Sequence, residues 1–207
     1  EMSKLVENSF RDVNIAFANE LSLICDKLNI NVWDLIKLAN HHPRVDILKP
    51  GPGVGGHCIA VDPWFIVDSA PKESKLIQTA RKVNDSKPLF VIEKLIQTLG
   101  ELDEDIEEIS ISCLGLSFKP DIDDLRESPA LEIVKKINQM GLGIVNIVEP
   151  NINVLPECLV SANLLDLTSA IVSSDIVLLL VDHSEFKNID LSLLSGKHII
   201  DTRGIWS

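Results

Sequence analysis

From about Ile106 onward, short apolar runs alternate with amphipathic stretches, and this alternation limits what the second half of the chain can fold into. Residues 109–116 read as a buried strand. Residues 129–140 read as a helix, with Ser128 as its N-cap and Pro129 at the first helical position, where a missing N–H does no harm. Residues 143–148 form a second expected strand, 168–173 a short helix, 175–181 a third strand and 198–201 a fourth. Strands alternating with helices predict an α/β fold with a doubly wound parallel sheet. Such sheets bind ligands beyond the carboxyl ends of their strands. Those ends carry Ser117-Phe118-Lys119, Glu149-Pro150, Asp182-His183 and Thr202-Arg203.

The first half follows a different pattern. Leu5, Val6, Val13, Phe17, Leu21, Ile24 and Leu28 recur at helical spacing on one broad stripe, and neither Gly nor Pro occurs before Pro43. One long helix ending near Leu28 is expected, then a short one over residues 32–40. The sequence opens inside this helical pattern with no N-cap residue before it, which points to further chain upstream. Residues 41–63 are a loop too rich in Gly and Pro for either regular element. Helical pattern resumes over residues 64–70 and 75–99, with an interruption expected near Pro88. Two domains follow, a helical one over residues 1–103 and an α/β one over residues 104–207.

The formal net charge of −12 argues against a nucleic-acid-binding surface, which needs an excess of Lys and Arg. A local basic cluster can still hold a phosphate. No apolar run approaches the length that spans a bilayer, and no secretory signal opens the sequence, so a cytoplasmic protein with no membrane partner is expected. Cys25, Cys58, Cys113 and Cys158 lie far apart and form no CxxC pair, so a metal site is not expected and at least three buried thiols are.

Residues 51–56 formally match G-x-G-x-x-G, but a dinucleotide cradle needs a strand before it and a helix directly after. The alternatives are a flexible glycine loop, or a loop whose small residues let a ligand and Cys58 approach closely. Cys58 follows those glycines, with His57 beside it and Asp62 four residues on, near the sulfur if a helical turn begins there. Buried small hydrophobe and activated nucleophile are balanced readings of such a cysteine. Lys4 and Asn8 share a helix face with Arg11 close by, a pattern that also fits a plain solvated face. Lys119, Arg126 and Arg203 stand at the expected ligand edge of the sheet, as phosphate contacts or as ordinary turn and surface residues.

Together these segments resemble the UDP-glucose/GDP-mannose dehydrogenase family. Gly55-Gly56-His57-Cys58-Ile-Ala-Val-Asp62-Pro63 is similar to its catalytic-cysteine motif. Phe118-Lys119-Pro-Asp-Ile-Asp-Asp-Leu-Arg126-Glu-Ser128-Pro129 is similar to its second signature. Lys4-x-x-x-Asn8, followed by Asn19-Glu20, is similar to the opening of its central helix. The resemblance spans nearly the whole chain and implies a helical dimerisation domain followed by a Rossmann-like sugar-nucleotide-binding domain. It implies oxidation of the C6 hydroxyl of a nucleotide sugar to a carboxylate by NAD, through a cysteine thioester. Cys58 would be the nucleophile, Lys4 and Asn8 would stabilise the oxyanion, and Asp62 would help activate water or alcohol. Asn8, Arg11, His42, Arg44, Gly55, Phe118, Lys119 and Arg203 match substrate contacts, and Arg126 matches a contact to NAD. The family also has an N-terminal NAD-binding domain, which these residues do not include, so the chain alone is expected to be inactive. His57 and Val61-Asp62-Pro63 resemble the branch acting on UDP-N-acetylhexosamines, UDP-N-acetyl-mannosamine in particular, with UDP-glucose, UDP-N-acetylglucosamine or GDP-mannose as alternatives. The resemblance further implies a homodimer through the first helix. A non-catalytic nucleotide-sugar-binding module is the contrasting reading.

Overall fold

The computed structural model describes residues 2–103 and 105–206; residue 104, where the second domain is expected to begin, lies outside them. The chain divides into two compact units, Glu1–Lys87 and Pro88–Ser207.

In the first unit, α1 spans Met2–Leu28 and α2 spans Val32–Ala39. Asn29 ends α1 in the left-handed conformation (φ 54°), and the Ile30 N–H donates to the Cys25 carbonyl at 2.9 Å, a Schellman-type closure. Asn31 then caps α2, its side chain accepting from the Trp33 and Asp34 N–H groups. Helix α3 spans Asp62–Ser69 and α4 spans Lys75–Gly100. The face α1 buries is small and polar: Asn8, Ser9, Asp12, Ala16, Ala18, Asn19 and Cys25. Several large apolar residues of the same helix stay exposed, among them Phe10 (69%) and Phe17 (54%).

Helix α4 runs unbroken through Pro88, contrary to the expected interruption. The missing N–H at residue 88 removes one hydrogen bond, a loss of about 3 kcal/mol or more within a helix. Both flanking segments are anchored by burial, Arg81, Asn84 and Lys87 in the first unit and Val91, Ile92, Leu95 and Leu99 in the second. Packing therefore overrides the local signal. It also moves the unit boundary into α4, upstream of residue 103, because the last turns of this helix belong to the core of the sheet.

The second unit is a five-stranded, all-parallel sheet in the order β3-β2-β1-β4-β5. Its strands are β1 (Ser110–Leu114), β2 (Ile144–Val148), β3 (Asn163–Leu164), β4 (Ile176–Leu179) and β5 (His198–Asp201). Helices α5 (Pro129–Met140), α6 (Leu167–Ser173) and α7 (Ser184–Lys187) connect them. Alternate residues point to opposite faces. Ile111, Cys113, Ile176 and Leu178 enter the core shared with α5 and the end of α4, whereas Leu114, Val177 and Leu179 enter the core with α6 and α7. Two-sided burial is the doubly wound layering read from the sequence. Strand β3 was not expected: two residues are too few to show a period, and it exists by pairing Asn163 with Asn146 and Leu164 with Ile147. At the end of β1, Gly115 (φ 94°) is required, since an added Cβ would lie 2.4 Å from the Val181 Cβ.

Candidate active site and nucleotide-binding loop

In the first unit, a helical turn begins at the cysteine: the Val61 and Asp62 N–H groups donate to the Cys58 carbonyl at 3.1 and 2.8 Å. This turn leads into α3 and buries Asp62, whose Oδ2 accepts from Asn8 Nδ2 at 2.6 Å across 54 residues of sequence. A carboxylate hydrogen bond of that length is among the stronger kinds, worth about 1.5–3 kcal/mol net. Lys4, one turn before Asn8, is exposed, as is Arg11. Cys58 is half-buried and Gly55 likewise. His42 and Arg44 are exposed in the turn after α2, where the Arg44 N–H donates to His42 Nδ1 at 3.2 Å. The structure thus joins Asn8 to Asp62, beside the Cys58 turn, and keeps Lys4 and Arg11 on solvent-facing positions of the same helix.

A buried network supports this loop, and most of it was not expected. Gly51 donates its N–H to Asn19 Oδ1 at 2.9 Å, and Asn19 Nδ2 donates to Asn84 Oδ1 at 2.8 Å. Asn84 Nδ2 donates to Asp12 Oδ1 at 2.8 Å, and Arg81 Nη1 pairs with the same oxygen at 2.6 Å. Arg81 also pairs with Asp85. Burial lifts the Asp12 carboxyl above its ordinary range, and Arg81 and Asn84 offset part of that rise. Asn19 stood in the family pattern, but Arg81 and Asn84 belong to no motif. The available signal was spacing: Ser9, Asp12, Ala16 and Asn19 form one small and polar stripe on α1, and Arg81, Asn84 and Lys87 form another on α4.

The glycine loop does not fit a dinucleotide cradle. Among the described residues no strand precedes it, α3 opens only at Asp62, and Gly51 and Pro52 are buried with the Gly51 N–H already bonded. Pyrophosphate would need open N–H groups at a helix N-terminus, whereas the Gly51 N–H is engaged and Pro52 has none.

In the second unit, the loop after β1 carries Phe118, Lys119 and Arg126. Phe118 is half-buried and its N–H donates to the Asp124 carbonyl at 3.3 Å; Lys119 is exposed. Arg126 is exposed and held by Asp124, with Nε and Nη2 donating to the two carboxylate oxygens at 2.9 and 2.8 Å. Arg203, after β5, donates from Nε to Asp182 Oδ1 at 2.9 Å. Burial pushes the Asp182 carboxyl up, but Arg203, a backbone hydrogen bond and Lys187 together hold the group below its usual range. Glu149 and His183, read from sequence only as strand-end residues, meet here at 3.2 Å and are both buried.

The four thiols differ. Cys25 and Cys113 are buried, Cys58 is half-buried and Cys158 is exposed, so two buried thiols replace the three expected. Cys158 follows Pro156 in a short 3-10 turn at the surface, a segment with no period to read. Burial pushes the Cys113 thiol up to about 12, which makes it inert as a nucleophile at neutral pH. Among the described residues, no helix is long and apolar enough to cross a membrane.

The second unit is a doubly wound parallel α/β sheet with basic side chains on its strand-end loops, where such sheets bind ligands; it follows a helical unit with a cysteine loop in the chain. Residues 1–86 match the central domain of the UDP-glucose/GDP-mannose dehydrogenase family, and residues 112–207 match its UDP binding domain. The chain belongs to that family. It is 58% identical over 207 residues to an NDP-N-acetyl-D-galactosaminuronic acid dehydrogenase of Ralstonia nicotianae, covering 100% of this chain and 48% of the relative. It is 55% identical over 211 residues to the UDP-N-acetyl-D-mannosamine dehydrogenase of Escherichia coli strain K12, covering 100% of this chain and 50% of that protein. A solved UDP-D-ManNAc dehydrogenase from Pyrococcus horikoshii superposes with a TM-score of 0.87 at 37% identity, covering 100% of this chain and 48% of that one. The chain spans about half the length of the curated relatives it matches.

Proposed function

We propose that this chain is the cysteine-bearing and UDP-sugar-binding part of a dehydrogenase that oxidises C6 of UDP-N-acetyl-mannosamine to the carboxylate with NAD. The observation that carries this reading is the Asn8–Asp62 hydrogen bond beside the turn that starts at Cys58. It fixes an uncharged donor and a carboxylate to each other at the end of the helical turn that begins at Cys58, the half-buried thiol. Loss of a hydride from the C6 alcohol gives the aldehyde, to which the Cys58 thiolate adds to give a thiohemiacetal; loss of a second hydride from that carbon gives a thioester, which water hydrolyses to the carboxylate and the free thiol. Lys4 and Asn8 stabilise the oxyanion, and Asp62 orients or deprotonates the water or the first alcohol. Arg11, His42, Arg44 and Gly55 contact the sugar nucleotide, as do Phe118, Lys119 and Arg203. NAD would supply the hydride acceptor, and Arg126 is the residue assigned to hold it.

The identities of 58% and 55% to enzymes named for two N-acetylated sugars support an acetamido sugar as the substrate class. Calorimetric titration of the chain with UDP-N-acetyl-mannosamine, UDP-N-acetylgalactosamine, UDP-glucose and GDP-mannose tests the reading. Tighter binding of the acetamido sugars than of UDP-glucose, by about tenfold or 1.4 kcal/mol, is the expected result. Preference for UDP-glucose or GDP-mannose, or no binding of any of the four, would sink the assignment.

The same reading includes a homodimer through α1. Met2, Val6, Phe10, Phe17, Ile24 and Leu28 lie at spacings of four or seven residues, hence on one helix face, and all are exposed. A continuous apolar face on a 27-residue helix is what a partner helix covers. Sedimentation is expected to give twice the chain mass for the wild type, and the single-chain mass for Phe10→Asp/Phe17→Asp. An unchanged mass in the double variant would place the interface elsewhere.

A further inference from the structure

We propose that His183, held in one tautomer, is the positioning residue that sets the loop carrying Lys119 for nucleotide binding. The inference rests on the UDP-binding reading above and adds a residue to it. His183 is fully buried just beyond β4, with the edge of the Phe186 ring against it at a centroid distance of 5.2 Å. The Asp121 N–H donates to its Nδ1 at 2.9 Å, so Nδ1 carries no proton. Its Nε2 lies 3.2 Å from Glu149 Oε2. Burial pushes the Glu149 carboxyl up, but the hydrogen bonds from His183, Leu116 and Asn151, with the field of His183, together hold it below its usual range. With Nδ1 accepting, the ring carries its proton on Nε2, which donates to the Glu149 carboxylate.

This tautomer closes a clamp at both ends of one short segment. Glu149 Oε2 accepts from the Leu116 and Ser117 N–H groups at 2.7 and 3.1 Å, and Ser117 Oγ donates to the Lys119 carbonyl at 2.8 Å. At the far end, Asp121 stands in the left-handed region (φ 61°), which a side chain disfavours. It is kept there by His183 on its N–H and by Ser184, whose N–H and Oγ donate to its carboxylate at 2.8 and 2.7 Å. Lys119 therefore projects from a segment pinned two residues on either side. Without Nδ1 as acceptor, the Asp121 N–H loses its partner and the backbone relaxes out of the left-handed region.

Two isosteric changes separate the two ring nitrogens. In His183→Asn the amide oxygen stands near Nδ1 and still accepts from Asp121. In His183→Gln the amide nitrogen stands near Nε2 and still donates to Glu149, but the Asp121 acceptor is gone. UDP titration is expected to show affinity weakened about tenfold in His183→Gln and within about threefold of wild type in His183→Asn. Hydrogen exchange of the Asp121 amide, measured without ligand, is expected to be slow in the wild type and His183→Asn and fast in His183→Gln. Equal loss of affinity in both variants, or an Asp121 amide that exchanges freely in the wild type, would overturn the proposal. If the wild type binds no UDP, the nucleotide reading fails and this role with it, while the exchange pattern still reports whether the clamp exists.

Discussion

Cys58→Ser is expected to abolish uronate formation by the full-length protein while leaving UDP-sugar affinity within about twofold, because the step lost is covalent and not part of binding. A hydroxyl in that place is far less acidic than a thiol and adds poorly to the aldehyde. No other thiol of the chain substitutes for it. Cys113 is buried in the sheet with its thiol pushed up to about 12, and Cys25 is buried in α1. Cys158 is exposed on the second unit, and Cys158→Ser serves as the neutral control. Asn8→Ala is expected to lower kcat by about 10²–10³, the usual cost of removing one donor to a developing oxyanion. That variant also frees the Asp62 carboxylate from its 2.6 Å hydrogen bond, so Asp62 loses its orientation with it. Product analysis by mass spectrometry decides the matter. Uronate made by Cys58→Ser at the wild-type rate would refute the thioester route and leave Cys58 a packing residue.

How much of this was legible depends on the range of the interaction. Helix α5 was readable to the residue because its determinants are local: Ser128 caps it, Pro129 opens it and Gly141 (φ 65°) closes it. Strands β1 and β4 are shorter than read, since their apolar runs continue into the turns that follow, and β2 loses only Gly143 at its start. Local signals failed where tertiary packing decided, as at Pro88 and at the two-residue β3. On the site side, the turn at Cys58 and the shared face of Lys4 and Asn8 followed from spacing. The Asn8–Asp62 contact did not, since periodicity reports the face of a residue and not its partner 54 positions away. The apolar stripe of α1 misleads in the same way. Read alone it looks like the face that packs on the chain's own core, whereas the polar stripe is buried there and much of the apolar one is exposed. His183 and Glu149 were visible only as strand ends, because a clamp between three loops leaves no pattern in any one of them.

Arg81→Met is expected to destabilise the protein by about 3–5 kcal/mol, since it leaves the Asp12 carboxylate buried without its counter-charge. In a chain of this size that lowers Tm by on the order of 10 °C. The size of the effect follows from burial: Asp12 and Arg81 are almost wholly excluded from water, and Asp12 Oδ2 and Arg81 Nε have no hydrogen-bond partner. Asp85, the second carboxylate on Arg81, is half-exposed, and Asp85→Asn should change stability by no more than about 1 kcal/mol. The loss in Arg81→Met has a definite pH dependence. Burial already raises the Asp12 carboxyl, and removing Arg81 raises it further, so the folded variant binds this proton more tightly than the unfolded chain does. Stability then falls as pH rises: the deficit is smallest below the ordinary aspartate value of 3.8 and grows through the mildly acidic range. Asp12→Leu combined with Arg81→Met removes both charges and should recover most of the loss, as apolar replacement of a buried pair generally does. The single and double variants are compared by thermal melts between pH 4 and 7. Because Asn84 and Asn19 connect this pair to the Gly51 N–H, Arg81→Met should also speed alkylation of Cys58 or slow it, whereas Asp85→Asn should not. An Arg81→Met variant as stable as wild type would mean that the pair is solvated and that Asn19 holds the glycine loop without it.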